Sequence, residues 1–348
     1  MSDTAHTEDE AHSRPSAGSA SDHQAKPTRR KCRPLRVALI TLGSLLTLII
    51  MTVIGSYAYF SHFAGSIPRL RVDHLVTANG SSTLDGQTFL IAVAPWGTTG
   101  KYDKADAPSQ YSNLVMLLHT NADGKGGGAV TIPGNIRVKV PGVGTELLWN
   151  VFEKGSPSLL VQTVTQFTGI PINHFARLDF YHISALLNVI GGVQVTVPAA
   201  TEGFGYKFPK GINRLTGVTA IYYARDEGLS DQDRMLRQEN LVRTVITKIA
   251  DDHLLTNPIT MVRVLNAVTS MLAVDSNFTN SDIESLVRQF GSLAADASTF
   301  VTMPTQTAGA NRTLNPALDD QLWTAVKHDS IAAFAKQYPS TVTPQAAP

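Results

Sequence analysis

From Val37 to Phe60 the chain carries no charged side chain (VALITLGSLLTLIIMTVIGSYAYF), and this stretch constrains the architecture more than any other feature. As a helix rising roughly 1.5 Å per residue it would extend about 36 Å, enough to cross a hydrocarbon core of about 30 Å. Arg29, Arg30, Lys31, Arg33 and Arg36 precede it, whereas only His62 and Arg69 follow closely. Basic flanks stay on the cytoplasmic side, so the N-terminus is expected inside the cell and residues from about 62 onward outside it. Tyr57, Tyr59 and Phe60 suit the outer interface, where amphipathic rings gather. The stretch is longer than the ~7–15 apolar residues of a cleaved signal peptide, which favours a retained anchor.

The remaining sequence divides around this anchor. Residues 1–36 read as a disordered cytoplasmic tail that ends in the basic cluster, being rich in Ser, Ala, Asp, Glu and His and poor in anything that builds a core. Residues 61–87 read as a linker and entry segment, 88–330 as the folded extracytoplasmic domain, and 331–348 as a loose tail closing on Pro344-Gln345-Ala346-Ala347-Pro348. A net charge of +1 argues against a general nucleic-acid binder. The single cysteine, Cys32, excludes an intramolecular disulfide, so an exported domain has to rely on its core.

Within the domain, short apolar runs alternate with helical periodicity. Strands are expected at Thr88–Ala94, Asn113–Thr120 and Ala129–Ile132, the last two joined by the Gly-rich turn at 121–128. Ser156-Pro157 opens a helix that Gly169 can end. A strand at His174–Leu178, a helix at Tyr181–Ile190 stopped by Gly191-Gly192, and a strand at Val193–Val197 form a strand–helix–strand unit. Asp231 or Asp233 can cap a long helix running to about Asp252, followed by helices near 258–273, 281–295 and 316–328 and a strand at Thr299–Met303. Such alternation implies an α/β fold, a sheet covered by helices, preceded by the transmembrane helix.

The most informative stretch is YYARDEGLSDQDRMLRQEN, residues 222–240. On a helix beginning near Asp231, the side chains of Arg234, Arg237 and Gln238 share one face at i, i+3 and i+4. Arg225 arrives from the preceding segment. Guanidinium groups near a helix N-terminus suit a phosphate or pyrophosphate, because the fork geometry matches oxyanions and the helix field favours negative charge. The plainer reading is a solvated face in which Asp233 pairs with Arg237. Elsewhere there is no P-loop, no G-x-S-x-G elbow and no paired-histidine metal motif.

Taken in order, several pieces resemble the LytR–CpsA–Psr family of envelope proteins. They are NLVMLLHT, AVTIPGNIRVKVPGVG, GIPINHFARLDF, IGGVQVTVP, FPKGINRLTGVTAIYYARDE and DRMLRQEN, spread over roughly residues 86–330. The resemblance implies an α-β-α sandwich with a mixed central sheet and a hydrophobic pocket for a polyprenyl chain. It also implies an arginine-lined mouth for the lipid's pyrophosphate, with Arg225, Arg234, Arg237 and Gln238 as binding residues and Asp233, Asn150 and Asn113 in support. Family members are thought to transfer glycopolymers from a polyprenyl-phosphate or pyrophosphate carrier to peptidoglycan, assisted by Mg2+. The implied partners are therefore that lipid carrier and an envelope polymer, and the implied location is the cell membrane.

The sequence also departs from the family pattern. Val93-Ala94-Pro95 stands where the family has Gly-Ser-Asp, and Tyr111-Ser112-Asn113-Leu114 where it has Arg-Ser-Asp-Thr. Ile132-Pro133-Gly134-Asn135 replaces Ile-Pro-Arg-Asp, Glu227 replaces a second arginine, and Leu148 replaces a lysine before Asn150. Neutral Asn is a poor substitute for carboxylate on a hard cation, and phosphoryl transfer depends on neutralising developing charge. Weak or lost catalysis is therefore expected, with no metal ligand assigned. An active Mg2+-dependent phosphotransferase is the alternative.

Overall fold

The computed structural model describes residues 63–76, 86–94, 114–154, 157–179, 182–226, 228–286, 299–308 and 311–347. The tail, the apolar stretch 37–60, Cys32 and Asn113 lie outside the described residues. Among those described, no helix is long and apolar enough to cross a membrane.

The strands in chain order begin with β1 (Arg69–Leu70), β2 (Thr88–Ala94), β3 (Leu114–Thr120), β4 (Gly127–Ile132), β5 (Arg137–Val140) and β6 (Gly144–Leu147). They continue with β7 (His174–Asp179), β8 (Val193–Val197), β9 (Thr201–Gly203), β10 (Tyr206–Phe208) and β11 (Gly211–Leu215). The last are β12 (Leu272–Asp275), β13 (Phe300–Thr302), β14 (Thr305–Ala308) and β15 (Asn311–Leu314). The helices are α1 (Leu148–Lys154), α2 (Pro157–Thr168), α3 (Ile183–Val189), α4 (Val218–Ala224), α5 (Asp231–Asp251), α6 (Pro258–Met271), α7 (Pro316–Lys327) and α8 (Ile331–Gln337).

Seven strands form one sheet in the order β1-β12-β7-β2-β3-β4-β13. It is mixed: β2 runs parallel to β7 and antiparallel to β3, and β4 is antiparallel to β3 but parallel to β13. Successive side chains of a strand point to opposite faces, and the central strands are apolar on both. Leu90, Ala92, Val115 and Leu117 enter a core with Leu160, Val164 of α2 and Leu322, Trp323 of α7. Val93, Leu114 and Met116 face the other way, onto Leu187 of α3, Leu241 and Val245 of α5 and Val264 of α6. Helices therefore cover both faces, and the expected layered α/β fold is present.

Three boundaries differ from the sequence reading. The entry segment is not all linker, because Phe63, Ala64 and Ile67 are buried against Phe89 and Val274, and β1 pairs with β12. Leu272 and Ala273, expected in the helix near 258–273, begin β12. That strand is held by pairing with β7 and by Asp275, whose Oδ2 accepts from the Phe175 N–H at 3.0 Å. The tail expected to be loose is packed: Ile331 and Phe334 of α8 are buried, as are Thr343 and Ala347 beyond it.

Candidate functional site

The site is built where α4 ends and α5 begins. α4 stops at Arg225, whose N–H still reaches Ile221 O at 3.0 Å. Asp226 then turns the chain, its Oδ1 accepting from the Gly228 N–H at 3.0 Å. The cap of α5 is Ser230, in extended conformation, rather than Asp231 or Asp233, which already lie inside the helix. Ser230 Oγ accepts from the Asp233 N–H (3.2 Å) and donates to Asp233 Oδ2 (2.7 Å), so Ser230 caps the helix and Asp233 holds its hydroxyl in place.

The shared face of Arg234, Arg237 and Gln238 is real, and it points inwards. Their exposures are 6 %, 0 % and 4 %. Arg234 Nη1 donates to Leu229 O at 2.9 Å, Arg237 Nη1 to Tyr223 O at 3.0 Å, and Gln238 Nε2 to Ala224 O at 3.2 Å. The last carbonyls of a helix lack intrahelical donors, and here two side chains of the next helix satisfy those of α4.

Arg237 does more than cap. Nη1 also donates to Asp226 Oδ2 at 3.0 Å, and Nη2 donates to Thr201 Oγ1 at 2.7 Å on β9. The guanidinium carbon lies 4.5 Å from the centre of the Tyr223 ring and 5.8 Å from that of Phe208. The sequence spacing suggested Asp233 as its ion-pair partner, but Asp226 fills that role. Burial lowers the pKa of Arg237, opposed by the nearby Tyr223 and Asp226, while burial pushes the Tyr223 phenol up to about 12.

Arg225 is partly buried and faces the surface hairpin formed by β9 and β10. Its guanidinium carbon is 5.7 Å from the Phe204 ring centre, and Phe204 stacks on Tyr222 at 5.5 Å with planes 27° apart. Asn150 sits apart from this cluster. It donates to Glu146 Oε2 at 3.1 Å from α1, whose Leu148 and Val151 belong to the core on the opposite face of the sheet. Asn113, Glu227 and the side chain of Asp231 lie outside the described residues.

Sequence reasoning missed Thr201 and Phe204, which no motif marks, and did not pair Asp226 with Arg237. It also passed over Glu239 and Asn240, both buried on α5. Glu239 accepts from the hydroxyls of Thr302 (3.0 Å) and Thr343, and burial raises its carboxyl pKa. Near the C-terminal end of α5 a cleft of about 540 Å³ is lined by Arg214, Arg243, Lys248 and Asp252, thus by both signs of charge.

The donor set fits magnesium poorly. Both oxygens of Asp226 are engaged by Arg237 and Gly228, and Asp233 is engaged by Ser230. Among the described residues no three His, Cys, Asp or Glu side chains converge.

The model of the LytR_cpsA_psr family matches residues 73–337. The chain is 26 % identical over 230 residues to the cell wall biosynthesis protein LcpA of Corynebacterium glutamicum, an alignment covering 57 % of this chain and 44 % of that protein. It thus spans less than half the length of that relative. It is 28 % identical over 228 residues to TagU of Halalkalibacterium halodurans, a polyisoprenyl-teichoic acid–peptidoglycan teichoic acid transferase, covering 62 % and 73 % of the two chains. The LytR-Csp2A-Psr enzyme of Actinomyces oris superposes with a TM-score of 0.57 at 18 % identity, over 77 % of this chain and 95 % of that one. At that identity the likeness shows the shared fold alone.

Proposed function

This chain belongs to the LytR_cpsA_psr family, and on that premise we propose that it is a membrane-anchored envelope protein that binds a glycopolymer carried on a polyprenyl phosphate or pyrophosphate. In this reading residues 37–60 form the anchor, the N-terminus lies in the cytoplasm, the folded domain is extracytoplasmic, and catalysis is weak or lost.

The observation that carries the reading is the engagement of Arg237. Its guanidinium is wholly buried and bound to Asp226, Tyr223 O and Thr201. A guanidinium held this way cannot turn to a phosphate without leaving a buried carboxylate unpaired. Arg225, only partly buried, is then the arginine of the set best placed to meet an oxyanion. By the resemblance, positions where the family carries metal carboxylates are neutral as well, Asn135 being one. Binding can outlast catalysis under such losses, because it needs one positive mouth and an apolar lining, whereas phosphoryl transfer needs its charge neutralised in the transition state.

The test uses the full chain in detergent micelles with farnesyl pyrophosphate. We expect binding that persists when magnesium is chelated and weakens about tenfold or more in Arg225→Ala, the scale of a lost charged hydrogen bond. No phosphate should be released while an intact family member, run alongside, releases it. Magnesium-dependent release by this chain would overturn the reading in favour of an active glycopolymer phosphotransferase. Absence of binding would overturn the lipid-carrier part.

A further inference from the structure

The hairpin of β9 and β10 turns through Phe204 and Gly205, because Gly203 pairs directly with Tyr206. Both turn residues have positive φ, 53° and 76°. Such two-residue turns favour Asn-Gly, since a side chain at positive φ crowds its own backbone, and a bulky aromatic there is an outlier. Phe204 is also 45 % exposed, and Tyr206 beside it is 41 % exposed. The fold thus holds an aromatic side chain in a disfavoured conformation and leaves much of it in water. Strain that persists in a well-tied element points to use. The hairpin is well tied, because Arg237 grips Thr201 at its base and Phe204 rests on Tyr222.

We propose that Phe204 is a stacking platform for a sugar ring of the carried glycopolymer, the one next to the lipid pyrophosphate. The occupant follows from the surroundings. Arg225 stands 5.7 Å from the Phe204 ring, so a ligand whose phosphate meets Arg225 brings its next unit over the hairpin. A pyranose offers C–H bonds on one face and hydroxyls around its rim, which matches an aromatic ring bordered by polar groups. Glu202, Lys207 and Lys210 are that border, all exposed. A polyprenyl chain would require continuous apolar surface, which these residues interrupt. The assignment rests on the lipid-pyrophosphate reading above and places the polymer end of the ligand.

The test compares farnesyl pyrophosphate with the same lipid pyrophosphate bearing N-acetylglucosamine, each titrated onto the full chain in micelles. Phe204→Asn is the informative variant, because Asn suits the turn and preserves the fold. We expect the sugar to tighten binding to the wild type by about three- to tenfold, the scale of an aromatic contact. That gain, taken as the ratio of the two affinities within each protein, should vanish in Phe204→Asn and return in Phe204→Trp. A gain unaltered in Phe204→Asn would overturn the platform. So would a wild type that binds the bare lipid and gains nothing from the sugar, although the pyrophosphate reading would then stand. A wild type that binds neither compound overturns both, and one that binds only the sugar-bearing compound upholds the platform if Phe204→Asn abolishes that binding and overturns it if Phe204→Asn does not.

Discussion

Arg237 shows how a residue recognisable by motif can be occupied by the fold itself. Its charge is wholly buried, and burying an unpaired charge is expensive, so it survives as a cation only beside Asp226 and under the Tyr223 ring. The pair joins the end of α4, the turn before α5 and the first residue of β9. Removing either partner leaves the other charge stranded. Arg237→Ala is therefore expected to destabilise the domain by about 3–5 kcal/mol, and Asp226→Ala by a similar amount. The double variant should cost clearly less than the sum, since it strands no charge. Urea unfolding of the four proteins in one double-mutant cycle measures this coupling. Additive losses would show that the pair is not an energetic unit. The same result would make Arg237 the wrong residue for probing ligand binding, because its loss acts first on the fold.

At the scale of elements, α5 is the organiser. Its first turns cap α4, and its middle turns hold the chain's last residues. Glu239 accepts from Thr302 of β13 and from Thr343, while Asn240 Nδ2 donates to Gln345 O at 2.8 Å. Val342 bridges to Val301 and Ala346 to Thr196, so the final segment runs against strands from two sheets. Thr343→Val should cost about 1–3 kcal/mol by leaving the buried Glu239 short of a donor. Truncation after Tyr338 should cost more, through the added exposure of Val301 and Phe300. Melting temperatures of the two variants order the losses, and a truncated chain as stable as the intact one would refute the tie. This segment was illegible in the sequence because its order comes from partners distant in the chain, such as Glu239 for Thr343 and Thr196 for Ala346. Its own composition, rich in Pro, Thr and Ala, signals fraying. Thr88–Ala94 was legible with its bounds because a short apolar run between turn signals carries its own evidence. β12 was not, since Leu272-Ala273 continue an apolar helix in sequence and become strand only by pairing with β7. The shared face of Arg234, Arg237 and Gln238 followed from helical spacing. Its inward direction did not, because Asp226 reaches Arg237 across a turn that no periodicity describes.

At the scale of the whole molecule, Asp319 and Glu239 each contribute to stability with a pH dependence opposite to that of paired carboxylates. Asp319 is 4 % exposed near the start of α7. One of its oxygens accepts from the Asn315 N–H at 2.7 Å, and the other is buried without a hydrogen bond among the described residues. Burial, reinforced by Asp320, pushes its pKa up to about 6 from 3.8, against the opposing pull of the Asn315 N–H. Glu239 is pushed up by burial too, although Thr343, Thr302 and Arg243 oppose the shift. An acid with a raised pKa in the folded state binds its proton more tightly folded than unfolded. Its contribution is therefore most favourable below the unfolded value and is lost as pH rises through the folded one. For Asp319 that loss runs from about pH 4 to about pH 6 and levels off above. Asp319→Asn removes the ionisation while keeping the shape, so the variant should gain stability relative to the wild type over that interval and hold the gain at pH 7. Comparing the two proteins cancels the titrating groups that do not interact with Asp319, which leaves Asp320 as the coupled neighbour. Melting temperatures of both at pH 4, 5, 6 and 7 test this, and a difference constant across the series would mean that Asp319 does not titrate as its burial requires.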